Sequence, residues 1–193
     1  MRTINLLFLV LCFAVVTLVA QDQPNQDESQ KAWMEYMAPG WAHEHLAKGV
    51  GEWTYEQKFW SAPETDPQIT SGTAVGEMIM GGRYLKSKHT GTAWGMPFEG
   101  MSIEGYDNAT QEFMMIWIDN LGTGFANAKG SFDKENNQII YMGTMIDPIK
   151  KIEIDFKQVA KVVDNNTSMF EMFMNDPSGN EFKVMEAVMK KKP

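Results

Sequence analysis

Hydrophobic and polar residues alternate with a period of two along most of the chain, which is the pattern of a β-strand with one buried face. In the first of these segments, Trp53, Tyr55 and Phe59 alternate with charged or polar neighbours. The same alternation recurs over Ile152–Phe156 and over Phe170–Met174. The pattern therefore predicts strands whose apolar side chains point to one side of a sheet.

Other segments are apolar on both faces of the predicted strand: Glu77–Met80, Phe113–Ile118 and Gln138–Met142. Strands of this kind are usually buried on both sides. We therefore expect a second layer to cover the outer face of these three strands.

Short runs of Asp, Asn, Gly and Pro separate the strands, for example at Asp107-Asn108, Asp133–Asn137 and Asp176–Gly179. Connections this short join antiparallel hairpins rather than βαβ units. Counting between them predicts about ten strands, and closure into a barrel would remove the unpaired edges of so large a sheet. The sequence thus predicts an all-β fold, an antiparallel up-and-down β-barrel.

The N-terminal residues predict a leader. Arg2 is followed by an unbroken apolar run from Leu6 to Val16, and the small residue Ala20 precedes a polar stretch. These features indicate a secretory signal peptide over residues 1–20. We expect an exported protein, periplasmic or secreted, that does not insert into a membrane once the signal is removed.

Two further segments complete the predicted domain organisation. Residues 21–30 are almost entirely polar, which predicts a flexible lead. Trp33, Met34 and Met37 then fall at helical spacing, so a short helix precedes the strands. Residues 31–193 form one β-barrel domain that includes this N-terminal helical segment.

Linked motifs along this domain resemble a known family. They occur in this order: His43-Glu-His-Leu46, Gly51-Glu-Trp53, Ser71-Gly-Thr-Ala-Val75, Gly81-Gly-Arg-Tyr-Leu85, Gly95-Met-Pro-Phe-Glu-Gly100, Gly105-Tyr-Asp-Asn108 and Trp117-Ile-Asp-Asn-Leu-Gly-Thr-Gly124. The chain resembles the uncharacterised family called domain of unknown function 1579 from about Trp41 to the last strand. The resemblance implies a lipocalin-like (calycin-type) β-barrel and brings no established activity, substrate or catalytic residue.

Charge and composition narrow the classes of function. A net charge of −8 argues against a nucleic-acid partner, because phosphate binding needs a clustered basic surface. The one cysteine, Cys12, lies in the predicted leader, so thiol chemistry is not expected in the rest of the chain.

The chain has 16 methionines, and methionine either fills irregular cores or lines adaptable apolar binding surfaces. A barrel of this size can hold one small ligand or be filled by its own side chains. If it is hollow, alternation predicts the following lining residues: Trp53, Tyr55, Met78, Met80, Arg83, Tyr106, Phe113, Met115, Trp117, Met172 and Met174.

An inward Arg83 would suit a carboxylate head group through its paired N–H donors. The favoured alternative is a structural arginine that donates to carbonyl groups at a hairpin. His43 and His45 are two residues apart, and such positions do not share a face of a helix. No metal ion or cofactor is therefore predicted, and hydrogen bonding at a helix end is the simpler role for these histidines.

The leading hypothesis is that the barrel binds a small hydrophobic or amphipathic molecule in its interior. An alternative is an isomerase or hydrolase acting on a hydrophobic substrate, with His43, Tyr106 or Asp119 as acid or base. A further alternative is a haem-handling barrel with one axial histidine. The last is a filled barrel with a structural or interaction role.

Overall fold

The computed structural model describes residues 25–193. The predicted signal peptide and positions 21–24 of the predicted polar lead lie outside these residues. Ten antiparallel strands form a closed barrel in which each strand pairs with its neighbours in sequence, and the last strand pairs with the first. The predicted up-and-down barrel of about ten strands is confirmed.

The strands are β1 (Gly51–Phe59), β2 (Gln68–Ile79), β3 (Tyr84–Ala93), β4 (Met96–Asp107), β5 (Glu112–Asp119), β6 (Ala126–Asp133), β7 (Gln138–Asp147), β8 (Ile152–Asp164), β9 (Thr167–Asn175) and β10 (Glu181–Lys191). Successive hairpins place alternate loops at opposite ends of the barrel. We call the end that carries the loops at 60–67, 94–95, 120–125, 148–151 and 176–180 the mouth.

Helix α1 (Gln26–Met37) precedes the barrel and starts inside the segment predicted as a flexible lead. Asn25 caps its N-terminus, because the Asn25 side chain accepts a hydrogen bond from the Glu28 N–H at 3.0 Å. The Glu28 carboxylate accepts one from the Asn25 N–H at 3.4 Å, which completes a capping box. The helix buries none of its residues. No helix within residues 25–193 is long and apolar enough to cross a membrane.

Helix α2 (Trp41–Leu46) closes the end of the barrel opposite the mouth, and we call this the closed end. A 3₁₀ turn, Ala47–Gly49, connects the helix to β1. The helix buries most of its side chains there. Its Trp41 ring lies 5.3 Å from the Phe132 ring and 6.0 Å from the Phe113 ring, measured between centroids. Phe113 is fully buried, so this end of the barrel has a packed core.

Glycines on the inner face leave room for large rings. A Cβ at Gly100 would lie 2.4 Å from a ring carbon of Trp117, and a Cβ at Gly72 would lie 2.3 Å from the Tyr55 hydroxyl oxygen. Glycine in a strand often marks such a close approach. The two aromatic side chains thus occupy space that side chains at these positions would fill.

The outer surface differs from the sequence expectation. Ile116 and Ile118 of β5 and Met142 of β7 are exposed on the outside of the barrel. No second layer of the described residues covers them, so that prediction was wrong. The reason is the closed topology: the inner faces of these strands form the core, and the wall itself is a single sheet.

Candidate functional site

Most of the predicted lining residues lie on the inner face of the barrel. They belong to the core clusters of the barrel or pack against them. These residues are Trp53, Tyr55, Met78, Tyr106, Phe113, Met115, Trp117, Met172 and Met174.

The structure places Met80 and Arg83 outside the barrel, contrary to the prediction. Strand β2 ends at Ile79, and Met80, Gly81 and Gly82 have φ of 50°, 67° and 82°. The chain therefore turns back before the inward alternation reaches Met80, which is 71% exposed.

Arg83 is a structural arginine that donates to carbonyl groups, as the favoured alternative predicted. Its Nη1 donates to the Met80 carbonyl at 3.2 Å, and its Nη2 donates to the Met37 carbonyl at 2.6 Å. Asn108 Nδ2 donates to the carbonyls of Tyr36 and Ala38 at 3.0 and 2.8 Å. Arg83 and Asn108 thus hold the C-terminal end of α1 against the barrel.

Replacing both residues, in the variant Arg83→Ala/Asn108→Ala, should release α1. We expect faster amide hydrogen exchange over residues 26–37, because the helix has no buried side chain to hold it. The free energy of unfolding of the barrel should change by less than about 0.5 kcal/mol. Lys31→Ala, which removes an exposed pair with Glu35, is the control, and unchanged exchange in the double variant would contradict the assignment.

Burial of the inward side chains varies within the barrel. Phe113, Tyr141 and Phe156 are fully buried. Several other inward side chains are only partly buried: Trp117, Met145, Phe170, Met174, Phe182 and Met185. We call the space that they line the lumen.

Glu104, which the pattern of apolar positions did not indicate, lies deep inside the barrel at the floor of the lumen. Tyr141 Oη donates a hydrogen bond to Glu104 Oε2 at 3.1 Å, and Ser102 Oγ donates one to Oε1 at 3.4 Å. Ser102 and Tyr141 are buried, whereas solvent reaches part of Glu104. Burial raises the pKa of the Glu104 carboxyl, and the two hydrogen bonds act in the opposite direction. Burial and the adjacent Glu104 carboxyl also raise the pKa of Tyr141 well above 10.

A signal for Glu104 was present in the sequence. Tyr106 is predicted to face inward, and side chains two residues apart in a strand share a face. Glu104 and Ser102 must then face inward as well. The apolar neighbours Met101 and Ile103 obscure this, because they make the opposite face of β4 look like the buried one.

His89 lies on the inner face of β3 nearer the mouth. Its ring centroid is 5.2 Å from that of Trp117 and 5.9 Å from that of Tyr55. Burial lowers the pKa of His89 to about 4, so the imidazole is neutral at neutral pH. Trp117 Nε1 donates to Asp119 Oδ2 at 2.7 Å, which places a carboxylate near the rim.

His43 and His45 lie at the closed end and serve different contacts. His43 Nδ1 accepts a hydrogen bond from the Gly40 N–H at 3.0 Å, which is the predicted helix-end role. The His45 ring packs 4.7 Å from the Phe132 ring. Burial, with a smaller effect of Lys48, lowers the pKa of His45 to about 4. Within residues 25–193, no group of three or more His, Cys, Asp or Glu side chains is placed to hold a metal ion.

The residues proposed as acid or base for an enzyme do not come together. His43 and Tyr106 meet at the closed end, with ring centroids 6.1 Å apart. Asp119 lies at the mouth, bonded to Trp117 and to the Leu121 N–H. The geometry therefore offers no catalytic group built from these three side chains.

Two depressions lie outside the lumen. One, of about 410 Å³, is an open trough on the outer face of β1 and β10 beside Thr54, Glu56 and Lys190. The other, of about 120 Å³, lies under the end of α1, where Arg83 and Asn108 donate to the carbonyls of Met37 and Ala38.

Comparison with solved structures shows the same fold elsewhere. The crystal structure of Rv2717c from M. tuberculosis superimposes with a TM-score of 0.59 at 12% identity, covering 81% of this chain and all of that one. A redesigned β-barrel matches with a TM-score of 0.40 at 11% identity over 77% of this chain and 96% of its own. At these identities the likeness to Rv2717c shows the fold alone.

Comparison with sequences places the chain in a family. No curated protein matches it. The model of the family described as protein of unknown function (DUF1579) matches residues 38–191, which include α2 and all ten strands. The chain therefore belongs to the DUF1579 family.

Proposed function

We propose that the barrel binds a small hydrophobic or amphipathic molecule in its lumen. The observation that carries this proposal is Glu104, an inward-facing acidic residue that is only partly buried although its hydrogen-bond partners Ser102 and Tyr141 are buried. A filled core would have enclosed it completely. The partial exposure of this inward-facing residue therefore favours accessible space inside the barrel over a completely filled core.

The wall of the lumen suits an apolar ligand of variable shape. Trp117, Phe170 and Phe182 supply rigid rings, while Met174 and Met185 supply flexible thioethers. Burying apolar surface against such a wall contributes roughly 25 cal/mol per Å² to binding. The flexible methionine side chains adapt to ligands of different shapes. Polar groups at the floor would orient an amphipathic ligand with its head inward.

The proposal includes export to the periplasm or outside the cell. It is supported by the charged start, the apolar run and the small residue before the polar lead in the first twenty residues.

The experiment is a fluorescence titration with N-phenyl-1-naphthylamine, an uncharged apolar probe. Ser87 and Lys88 are neighbours on β3 that face the lumen and the outer surface, respectively. We expect saturable probe binding by the wild type and by Lys88→Trp. Ser87→Trp should lose the binding, because its indole fills the space between the partners of Ser87 in the sheet, Gly76 and Ser102.

Circular dichroism and a urea unfolding curve check that Ser87→Trp is folded. If Ser87→Trp unfolds, Ala93→Trp at the mouth, compared with Thr92→Trp outside, replaces the pair. No saturable uptake by the wild type, or equal uptake by the inward and outward variants, would contradict lumen binding.

Haem handling is a second candidate because the neutral imidazole of His89 faces the interior. The chain has three histidines, and the other two lie at the packed closed end. Titration with hemin tests this candidate: a Soret band that His89→Ala abolishes would favour it, and a spectrum that His89→Ala leaves unchanged would remove it.

A further inference from the structure

We infer that the lumen selects amphipathic ligands with a primary amine as the head group and discriminates against those with a carboxylate, with Glu104 as the counter-group at the floor. This inference rests on the proposed binding of a ligand in the lumen. An inward Arg83 would have favoured a carboxylate head group, which is the opposite preference.

The charges that face the lumen are acidic. Along the described strands, the ionisable side chains on the inner face of its wall are Glu104, Asp119 and Asp147, the neutral His89 and tyrosines. The inward lysine, Lys191, lies at the closed end, 5.4 Å above the Trp53 ring. No lysine or arginine of the described strands therefore faces the lumen to pair with an anionic head group.

The geometry of Glu104 leaves room for a ligand. A carboxylate has about four sites at which it accepts a hydrogen bond, and the protein fills two of them, one from Tyr141 and one from Ser102. Glu104 is only partly buried as a residue, and its side chain points into the barrel toward Tyr141. An ammonium group carries three donors, so it can bond to Glu104 while the two protein bonds stay in place.

Burial makes the discrimination strong. A lone carboxylate at this depth is costly because it has lost most of its hydration, and an ammonium beside it offsets that cost. A carboxylate head group would instead place two acids in one poorly solvated space, where both cannot be ionised. One of the two carboxyl groups must then take up a proton before the acid can bind. This requirement lowers the affinity for a ligand with a carboxylate head group.

The rest of the lumen accommodates the remainder of such a ligand. Ser102 pairs with Trp117 across β4 and β5, one layer nearer the mouth than Glu104. An alkyl chain that leaves the floor therefore passes the Trp117 ring and then the apolar wall of β9 and β10. The ring face also attracts a nearby cation.

The experiment compares three ten-carbon compounds that differ only in the head group. Decylamine, decanol and decanoic acid are each titrated into the complex with N-phenyl-1-naphthylamine at pH 7 and low salt. We expect decylamine to displace the probe at a concentration at least about tenfold lower than decanoic acid. Glu104→Gln should weaken decylamine at least about tenfold more than it changes the affinity of decanol or of the uncharged probe.

Glu99→Gln is the matched control, because Glu99 lies on the outer face of the same strand beside Lys88. It removes the same charge from the protein without touching the lumen, so it should leave all three affinities unchanged. Decanoic acid binding as tightly as decylamine, or an amine affinity that Glu104→Gln leaves intact, would overturn the inference while lumen binding stands. Failure of the probe and all three compounds to bind would overturn lumen binding as well.

Discussion

Phe113→Ala is expected to lower the free energy of unfolding by about 3–5 kcal/mol, the range found when a buried phenylalanine is truncated. Phe113 is fully buried, and rings from three elements surround it. Tyr106, Trp41 and Phe132 lie 4.8, 6.0 and 6.5 Å away between centroids. Truncation would leave a cavity that these rigid rings cannot close, because each is held by its own strand or helix.

Urea unfolding followed by circular dichroism measures the change. The control is Phe125→Ala, which truncates the same side chain at a position that is 63% exposed near the mouth, where we expect less than about 0.5 kcal/mol. A loss below about 1 kcal/mol for Phe113→Ala would mean that α2 does not seal a packed core at the closed end. Phe113→Ala is also expected to speed amide hydrogen exchange in α2, because α2 packs on the Phe113 ring.

The strands were predictable because one property, the alternation of side chains between two faces, is local in the sequence. Trp53 and Tyr55 on β1 and Phe156 on β8 are buried as that alternation requires. The prediction failed at Met80 for an equally local reason. A backbone with positive φ at Met80 and at the following two glycines reverses the chain, and alternation alone does not indicate where a strand ends.

The polar floor of the lumen could not be predicted in the same way. Tyr141 and Glu104 are 37 residues apart in the chain and lie on strands that are not neighbours, so closure of the barrel brings them together across its interior. Alternation can place Glu104 on one face, but it does not show which residues stand opposite. The unusual feature of β4 is that its apolar residues Met101 and Ile103 face outward, and only pairing with the rest of the barrel establishes that.

Acidification is expected to lower the free energy of unfolding, because of the pKa values of His45 and His89. Each has a pKa of about 4 in the folded protein, against about 6.5 in an unfolded chain. Between these values the unfolded state binds a proton that the folded state does not. Both histidines therefore stabilise the fold fully above about pH 6.5, and that stability is lost as the pH falls toward 4.

The expected loss is at most about 1.4 kcal/mol per pH unit for each histidine. Solvent screening at the closed end, near the Lys48 side chain, should make the contribution of His45 smaller than that limit. Glu104 acts in the opposite direction, because a raised carboxyl pKa favours the folded state at low pH and this advantage is lost as the pH rises. The measured slope is therefore the histidine effect reduced by Glu104.

Urea unfolding at several pH values between about 7.5 and 5 measures the combined effect of the histidines and Glu104. Above about pH 5 the carboxylates whose pKa is lowered in the fold, such as Asp133 and Asp176, do not contribute. We expect His89→Gln to flatten the loss of stability on acidification and Glu104→Gln to steepen it, because each removes one of the two opposing proton equilibria. Imidazole NMR signals give the site-specific check. A resonance of His45 or His89 that titrates near pH 6.5 in the folded protein would show that the ring is solvated and would refute the predicted sign.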